Sequence, residues 1–152
     1  MGDINPSPEC AQTRTQDILA KLASASGPDR ELDASIYCAF FNEPDSVARA
    51  TVGGGVIIYG PGMSARIADV AAYTASLDAA LALVAEKLPG WWWEIKFFMT
   101  GPVTNGYLAT LYPDGDTPEW ERIDPSVETG PTPAIAVLKA LFDGLSKPEA
   151  AR

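Results

Sequence analysis

At 152 residues, 47% apolar and 20% charged, the chain has the size of one domain and enough apolar content to fold without disulfide or metal staples. Twenty acids against eleven bases give a formal charge of −9, a field that repels nucleic-acid backbones and anionic membrane surfaces and argues against direct binding to either. The absence of histidine removes the commonest general base and the commonest metal ligand together.

In chain order, residues 1–13 carry Pro6 and Pro8 without periodicity and read as a flexible arm. The opening MGDINPSPEC lacks the basic and apolar regions of a signal peptide, and no apolar run reaches the ~20 residues of a membrane span, so a cytoplasmic location is expected. A single domain is expected over 14–147, with 148–152 fraying. From Thr15, the residues Ile18, Leu19 and Leu22 predict a short helix that Ser26-Gly27-Pro28 ends. A second helix follows, with Leu32, Ile36, Tyr37 and Phe40 on one face until Asn42 to Pro44 break it. Its charged start, DRELD, reads as a solvated first turn that complements the helix dipole, rather than as a catalytic role for Asp29, Glu31 or Asp33.

Val56 to Tyr59 is a compact apolar run between glycines, the pattern of a short strand buried on both faces. The preceding Gly53, Gly54 and Gly55 invite a phosphate-loop reading, but the order of strand, glycine turn and helix is reversed and no GxxxxGK[ST] is present. Ser64 to Val70 reads as either a helical turn or a loop. Leu77, Leu81, Val84 and Leu88 then recur at helical spacing, with Thr74 or Ser76 as candidate N-cap and Pro89-Gly90 as the stop. From Trp91 the period switches to two: Trp91, Trp93, Ile95, Phe97 and Met99 share one face, and Trp92, Glu94, Lys96 and Phe98 the other. A helix feeding a strand so directly is expected to fold back over it.

Tyr107 to Tyr112 predicts a second strand in an antiparallel hairpin with the first. Both strands are apolar on both faces, which calls for cover on both and hence three layers. Pro113 to Pro131 is polar, with Asp114, Asp116, Glu119, Glu121, Asp124 and Glu128 against the single base Arg122; Trp120 and Ile123 are candidates for a short edge strand there. Thr132-Pro133 opens a last helix with Ile135, Leu138, Leu141, Phe142 and Leu145 on a broad apolar face. The class expected is α+β: a three-layer helix-sheet-helix sandwich with a small, largely antiparallel sheet and about four helices.

Three phrases, GPDRELDASIYCAF, YTASLDAALALVAEKLPGWWWEI and TPAIAVLKALF, occur in an order and spacing that resemble the phage ABA sandwich domain, a family of small phage and prophage proteins, over roughly residues 15–145. The resemblance implies a helix-sheet-helix sandwich and a phage or prophage setting. It implies no catalytic residues. The chain departs from the family pattern in its glycine-rich Thr51 to Gly62, its triple tryptophan and its acidic loop.

Cys10 and Cys38, the only cysteines, read as two thiols in a reducing compartment, since a thiol nucleophile needs a basic neighbour and a base. Neighbouring tryptophans in a strand alternate, so Trp91, Trp92 and Trp93 cannot share one core; at least two are expected inside, and an exposed Trp92 would anchor a partner. The acidic loop reads as solvated, or as a negative patch that meets a basic groove; Asp114, Asp116 and Glu119 lack the central glycine and oxygen ligands of a calcium loop. No metal and no cofactor are called for. The expected function is therefore binding without catalysis: a phage accessory protein, counter-defence and anti-CRISPR-like, that occupies a host nucleic-acid-handling complex through Asp114, Asp116, Glu119, Glu121, Trp120 and Trp92. The alternative is a small-ligand binder that sequesters a nucleotide or signalling molecule at Gly53, Gly54, Gly55 and Tyr59. A protein partner is expected in the first case, and a homodimer is compatible with either.

Overall fold

The computed structural model of the protein describes residues 8–41, 46–60, 62, 64–99, 105–113 and 124–147. Among them the elements run α1 (Pro8–Ser24), α2 (Arg30–Phe40), β1 (Val47–Ala50), β2 (Val56–Tyr59), β3 (Ala65–Ala68), α3 (Leu77–Lys87), β4 (Trp92–Met99), β5 (Asn105–Tyr112), β6 (Ser126–Gly130) and α4 (Pro133–Ser146). The class is α+β, with four helices and antiparallel strands, as the sequence pattern predicts. The strands are divided between two three-stranded sheets, β1-β2-β3 and β4-β5-β6.

Local chemistry sets most of the boundaries. α1 opens at Pro8 rather than Thr15, inside the span read as an arm, because proline's fixed φ and missing N–H suit a first helical turn. Asp29 caps α2, its carboxylate accepting from the N–H groups of Glu31 (2.9 Å) and Leu32 (3.1 Å). Of the two candidates for the α3 cap the structure uses Ser76, whose Oγ accepts from Ala79 N–H, and Gly90 at φ +85 turns the chain after the helix. Thr132 caps α4 in the same way, with Pro133 in its first turn.

β1 and β3 are the elements that periodicity does not reveal. Each has four residues, VARA and ARIA, too short and too rich in alanine and arginine to show strand character alone. They are extended because β2, with its valine and two isoleucines, pairs with both: Ala48 and Arg66 flank Ile58, and Ala50 and Ala68 flank Val56. Val56 and Ile58 are buried, while Tyr59 on the alternate face is exposed, so β2 is covered on one side and not on both. Gly53 to Gly55 form the turn between β1 and β2. Gly54 adopts φ +80 and donates to Thr51 O (2.9 Å), and Thr51 N–H closes the hairpin on Gly55 O (2.8 Å).

One contiguous core joins the inner faces of both sheets to the helices. Its centre is α4, in which Ala134 to Leu138, Ala140 to Phe142 and Gly144 are all buried. α4 packs on β5 and β6, while α1 and α3 pack on α4 and α2 packs on β1. The expectation that α3 folds back over the tryptophan strand is overturned: α3 rests on α4, and α4 takes the sheet. Nine buried positions in fourteen residues make α4 apolar nearly all round, which is what a helix covered from several sides requires, whereas α3 has a single buried stripe of Ala80, Leu83 and Val84.

The closest approach in this core is at Gly130 of β6. A Cβ there would lie 2.7 Å from Ala136 N and 3.0 Å from its Cα, both backbone atoms of α4. Gly130→Ala is expected to push helix and strand apart and to lower stability by about 2 kcal/mol. Gly53→Ala, with nothing within 4 Å of the added carbon, serves as the near-neutral control in the same urea titration.

Candidate functional site

Among the described residues, α4 covers one face of the β4-β5-β6 sheet, and the alternation of strand residues decides what the other shows. Toward α4 point Leu111, Ala109 and Ser126, the serine hydroxyl donating to Ala140 O at 2.7 Å or to the carboxylate of Asp143. Away from α4 point Trp92, Glu94, Lys96 and Phe98 of β4, opposite Tyr112, Thr110, Leu108 and Gly106 of β5. Cover on this outer face is uneven: Thr110 in its middle is buried, at 7% exposure, whereas Trp92 toward its edge is 53% exposed.

That face is organised by side-chain pairing across the strands. Trp92 stacks on its register partner Tyr112, ring centroids 3.8 Å apart and planes within 8°. Tyr112 OH donates to Glu94 Oε2 (3.4 Å), and Lys96 Nζ meets the same oxygen at 2.9 Å. The hydrogen bond to Glu94, reinforced by the carboxylate's charge, raises the Lys96 pKa above the ordinary lysine value. Phe98 lies over Gly106, where an added Cβ would come within 2.8 Å of its ring. A flat aromatic pair beside a held ion pair offers stacking and apolar contact to a partner, with a carboxylate and an ammonium to fix orientation.

Only one of the three neighbouring tryptophans packs on the core, where at least two are expected. Trp91 reaches α4 beside Gly144, its ring 3.6 Å from where a Cβ would stand. Trp93 is on the α4 side of the sheet yet 46% exposed, and Phe97 and Met99 on that side are 56% and 68% exposed. β4 is the edge strand, and α4 covers β5 and β6, so Trp93, Phe97 and Met99 project past the helix, while Ile95 between them packs against the core.

Asp114, Asp116, Glu119, Trp120 and Glu121 lie outside the described residues, as does Ile123. Of the remaining loop acids, Asp124 lends its carbonyl to Lys147 Nζ (2.9 Å), and Glu128 pairs with Lys139 of α4 at 3.8 Å. Gly53, Gly54 and Gly55 are not brought to Tyr59. They stand at the start of β2 and Tyr59 at its end, about 13 Å along the strand. The turn is tied down instead, with Arg30 Nε donating to Gly54 O at 3.0 Å.

That arginine belongs to a cluster that the reading of DRELD as a solvated turn misses. Asp33 is fully buried; its Oδ1 accepts from Thr74 N–H (2.7 Å) and its Oδ2 from Arg30 (3.1 Å). Arg30 also donates to Val70 O (2.9 Å) and Ala71 O (3.1 Å), and Thr74 Oγ1 accepts from Asp29 N–H (2.8 Å). The i,i+3 spacing of Arg30 and Asp33 hints at the pair, but the partners around residue 70 come only with the tertiary fold. The cluster fastens the start of α2 to the chain entering α3.

Two adjoining cavities, of about 480 and 490 Å³, also escape the linear reading. The first runs between α1, α2 and β1, with Arg14, Lys21 and Arg49 facing Asp17 and Glu31; the second follows the α1–α2 connection. Lys21 Nζ reaches Ser35 Oγ at 3.4 Å, and Glu31 Oε1 accepts from Ala50 N–H at 3.1 Å. Cys38 is a buried thiol at its wall. Among the described residues, no three acidic, cysteine or histidine side chains are grouped as a metal site, and no helix is long and apolar enough to cross a membrane.

Compared with known proteins, the chain matches no family model, no curated protein and no solved structure.

Proposed function

We propose that this protein acts by binding: a phage or prophage accessory protein, kin to the phage ABA sandwich domain, that works in the host cytoplasm as a counter-defence, anti-CRISPR-like inhibitor. The observation that carries the reading is the stacked Trp92–Tyr112 pair on the open face of β4 and β5. Half-exposed tryptophan held in one orientation has the character of an interface anchor, because little side-chain entropy remains to be lost on docking. The net charge of −9 selects the partner class, a protein whose basic groove handles nucleic acid. The resemblance in three phrases supports the phage setting.

The test is inhibition of DNA cleavage by a panel of purified CRISPR effector complexes, with affinity measured at two salt concentrations. Inhibition that weakens with salt is expected, and Trp92→Ala is expected to weaken binding about thirtyfold, the effect of losing one anchor worth ~2 kcal/mol. Neutralising Asp114, Asp116, Glu119 and Glu121 together should flatten the salt dependence. Inhibition unchanged by both sets of substitutions, or none across the panel, would sink the reading.

A second reading, sequestration of a nucleotide or another anionic signalling molecule, is supported by the cleft between α1, α2 and β1 rather than by Gly53, Gly54, Gly55 and Tyr59. Its volume is within the range of small-molecule sites, and it gathers three of the chain's eleven bases, Arg14, Lys21 and Arg49, against two acids, Asp17 and Glu31. A nucleotide panel in a thermal-shift assay decides it, since a ligand at a hundredfold excess over its dissociation constant adds ~2.7 kcal/mol of stability.

A further inference from the structure

Among the described residues, no strand pairs with the outer edge of the tryptophan sheet. In the order β4-β5-β6, strand β4 is outermost, and among the described residues it pairs with β5 alone. It is eight residues long, contains no proline, and exposes Trp92, Trp93, Phe97 and Met99. Proteins usually blunt such an edge with proline, a bulge, brevity or unpaired lysines, because its open N–H and C=O groups template another strand. The one lysine of β4, Lys96, is neutralised by Glu94 two residues away on the same face.

The sequence of the strand says what completes it. Trp91 to Met99 reads WWWEIKFFM, which is chemically palindromic about Ile95: acid and base flank the isoleucine, and aromatic or sulfur side chains flank those. We propose that a second copy of this chain docks along β4, antiparallel and centred on Ile95, joining two three-stranded sheets into one of six strands. In that register Glu94 faces the partner's Lys96, Lys96 the partner's Glu94, Trp93 the partner's Phe97 and Trp92 the partner's Phe98. No other antiparallel register sets Glu94 against Lys96; a shift by one residue on both strands sets glutamate against glutamate or lysine against lysine, which is destabilising.

Symmetry and area agree. Opposite residues in this register have the same parity, so both copies turn their α4 faces to one side, and the contact is isologous and closed. At about 100 Å² for each half-exposed side chain, Trp92, Trp93, Phe97 and Met99 of two copies supply about 800 Å². With Ile95, Phe98 and the edge backbone the contact reaches the order of 1,000 Å² that marks a specific interface. Dimerisation does not depend on the partner proposed above, because it is read from self-association of this chain alone.

Sedimentation velocity of the full chain over micromolar concentrations tests it by charge reversal. The wild type should move from 16.1 kDa toward twice that mass as concentration rises. Glu94→Lys and Lys96→Glu should each weaken self-association about tenfold or more by setting like charges opposite each other. The double variant should recover wild-type association, and an equimolar mixture of the two single variants should form a heterodimer tighter than either homodimer. Both side chains are exposed, at 39% and 60%, so the reversals leave the fold intact, which circular dichroism verifies. A wild type monomeric throughout overturns the proposal. So does association indifferent to the single reversals, or a double variant and mixture that fail to recover.

Discussion

Asp33→Ala is expected to lower the stability of this protein by about 3 kcal/mol, more than any surface substitution should. The carboxylate is fully buried, and its loss leaves Thr74 N–H, itself buried, without an acceptor. It also strips the counter-ion from Arg30, which keeps its carbonyl acceptors at Gly54, Val70 and Ala71. Arg30 is 29% exposed, so water screens part of the orphaned charge and the effect falls at the lower end for a broken buried pair. Asp33→Asn should cost less, because its amide oxygen can still accept from Thr74 N–H, although its NH₂ makes no hydrogen bond with the guanidinium. The measurement is urea denaturation of Asp33→Ala, Arg30→Ala and the double variant; their coupling energy isolates the pair. A loss below about 1 kcal/mol for Asp33→Ala means that the cluster does not hold α2 to the chain entering α3.

Phe142→Ala is expected to cost about 4 kcal/mol, through lost burial and a cavity that neighbouring elements cannot close. Phe142 is among the largest fully buried side chains, on the helix that meets β5, β6, α1 and α3, and its ring lies 5.2 Å from that of Phe40 on α2. If Phe142→Ala does not fold, Phe142→Leu keeps most of the volume and remains measurable. The useful contrast is with α3, whose leucine stripe is the clearest helical signal in the sequence. Leu138→Ala on α4 should be markedly more destabilising than Leu81→Ala on α3, because Leu138 is fully buried and Leu81 only partly. Equal losses at the two positions would show that α4 is not the centre of the core.

These expectations also mark where the linear chain is a good guide. The Ser76 and Thr132 caps, the stop at Gly90 and the helices they bound rest on hydrogen bonds within a few residues, and the structure has them. The pairing of β4 with β5 follows equally from two adjacent strands and a short connection. Two features went astray because their causes are distant in sequence. β1 and β3 are strands only because β2 lies between them. Asp33 is buried because Val70, Ala71 and Thr74 return to the start of α2.

Of the candidate binding residues, Trp92 is found exposed and stacked, whereas Asp114, Asp116, Glu119, Trp120 and Glu121 lie outside the described residues. The open sheet face was legible as an alternation but not as a surface. A period of two states which side chains share a face, and leaves open which face a helix will cover.

The sequence by itself determined the α+β class, the turns and caps, the −9 charge and the palindrome in β4, because these are properties of neighbouring residues or of their sum. Only the tertiary structure decided that α4 rather than α3 lies on the tryptophan sheet, that β4 is an edge, and that a buried aspartate ties α2 to the chain before α3. Those outcomes are competitions for the same core surface, and they are won by buried area summed over the whole fold, which no local window contains.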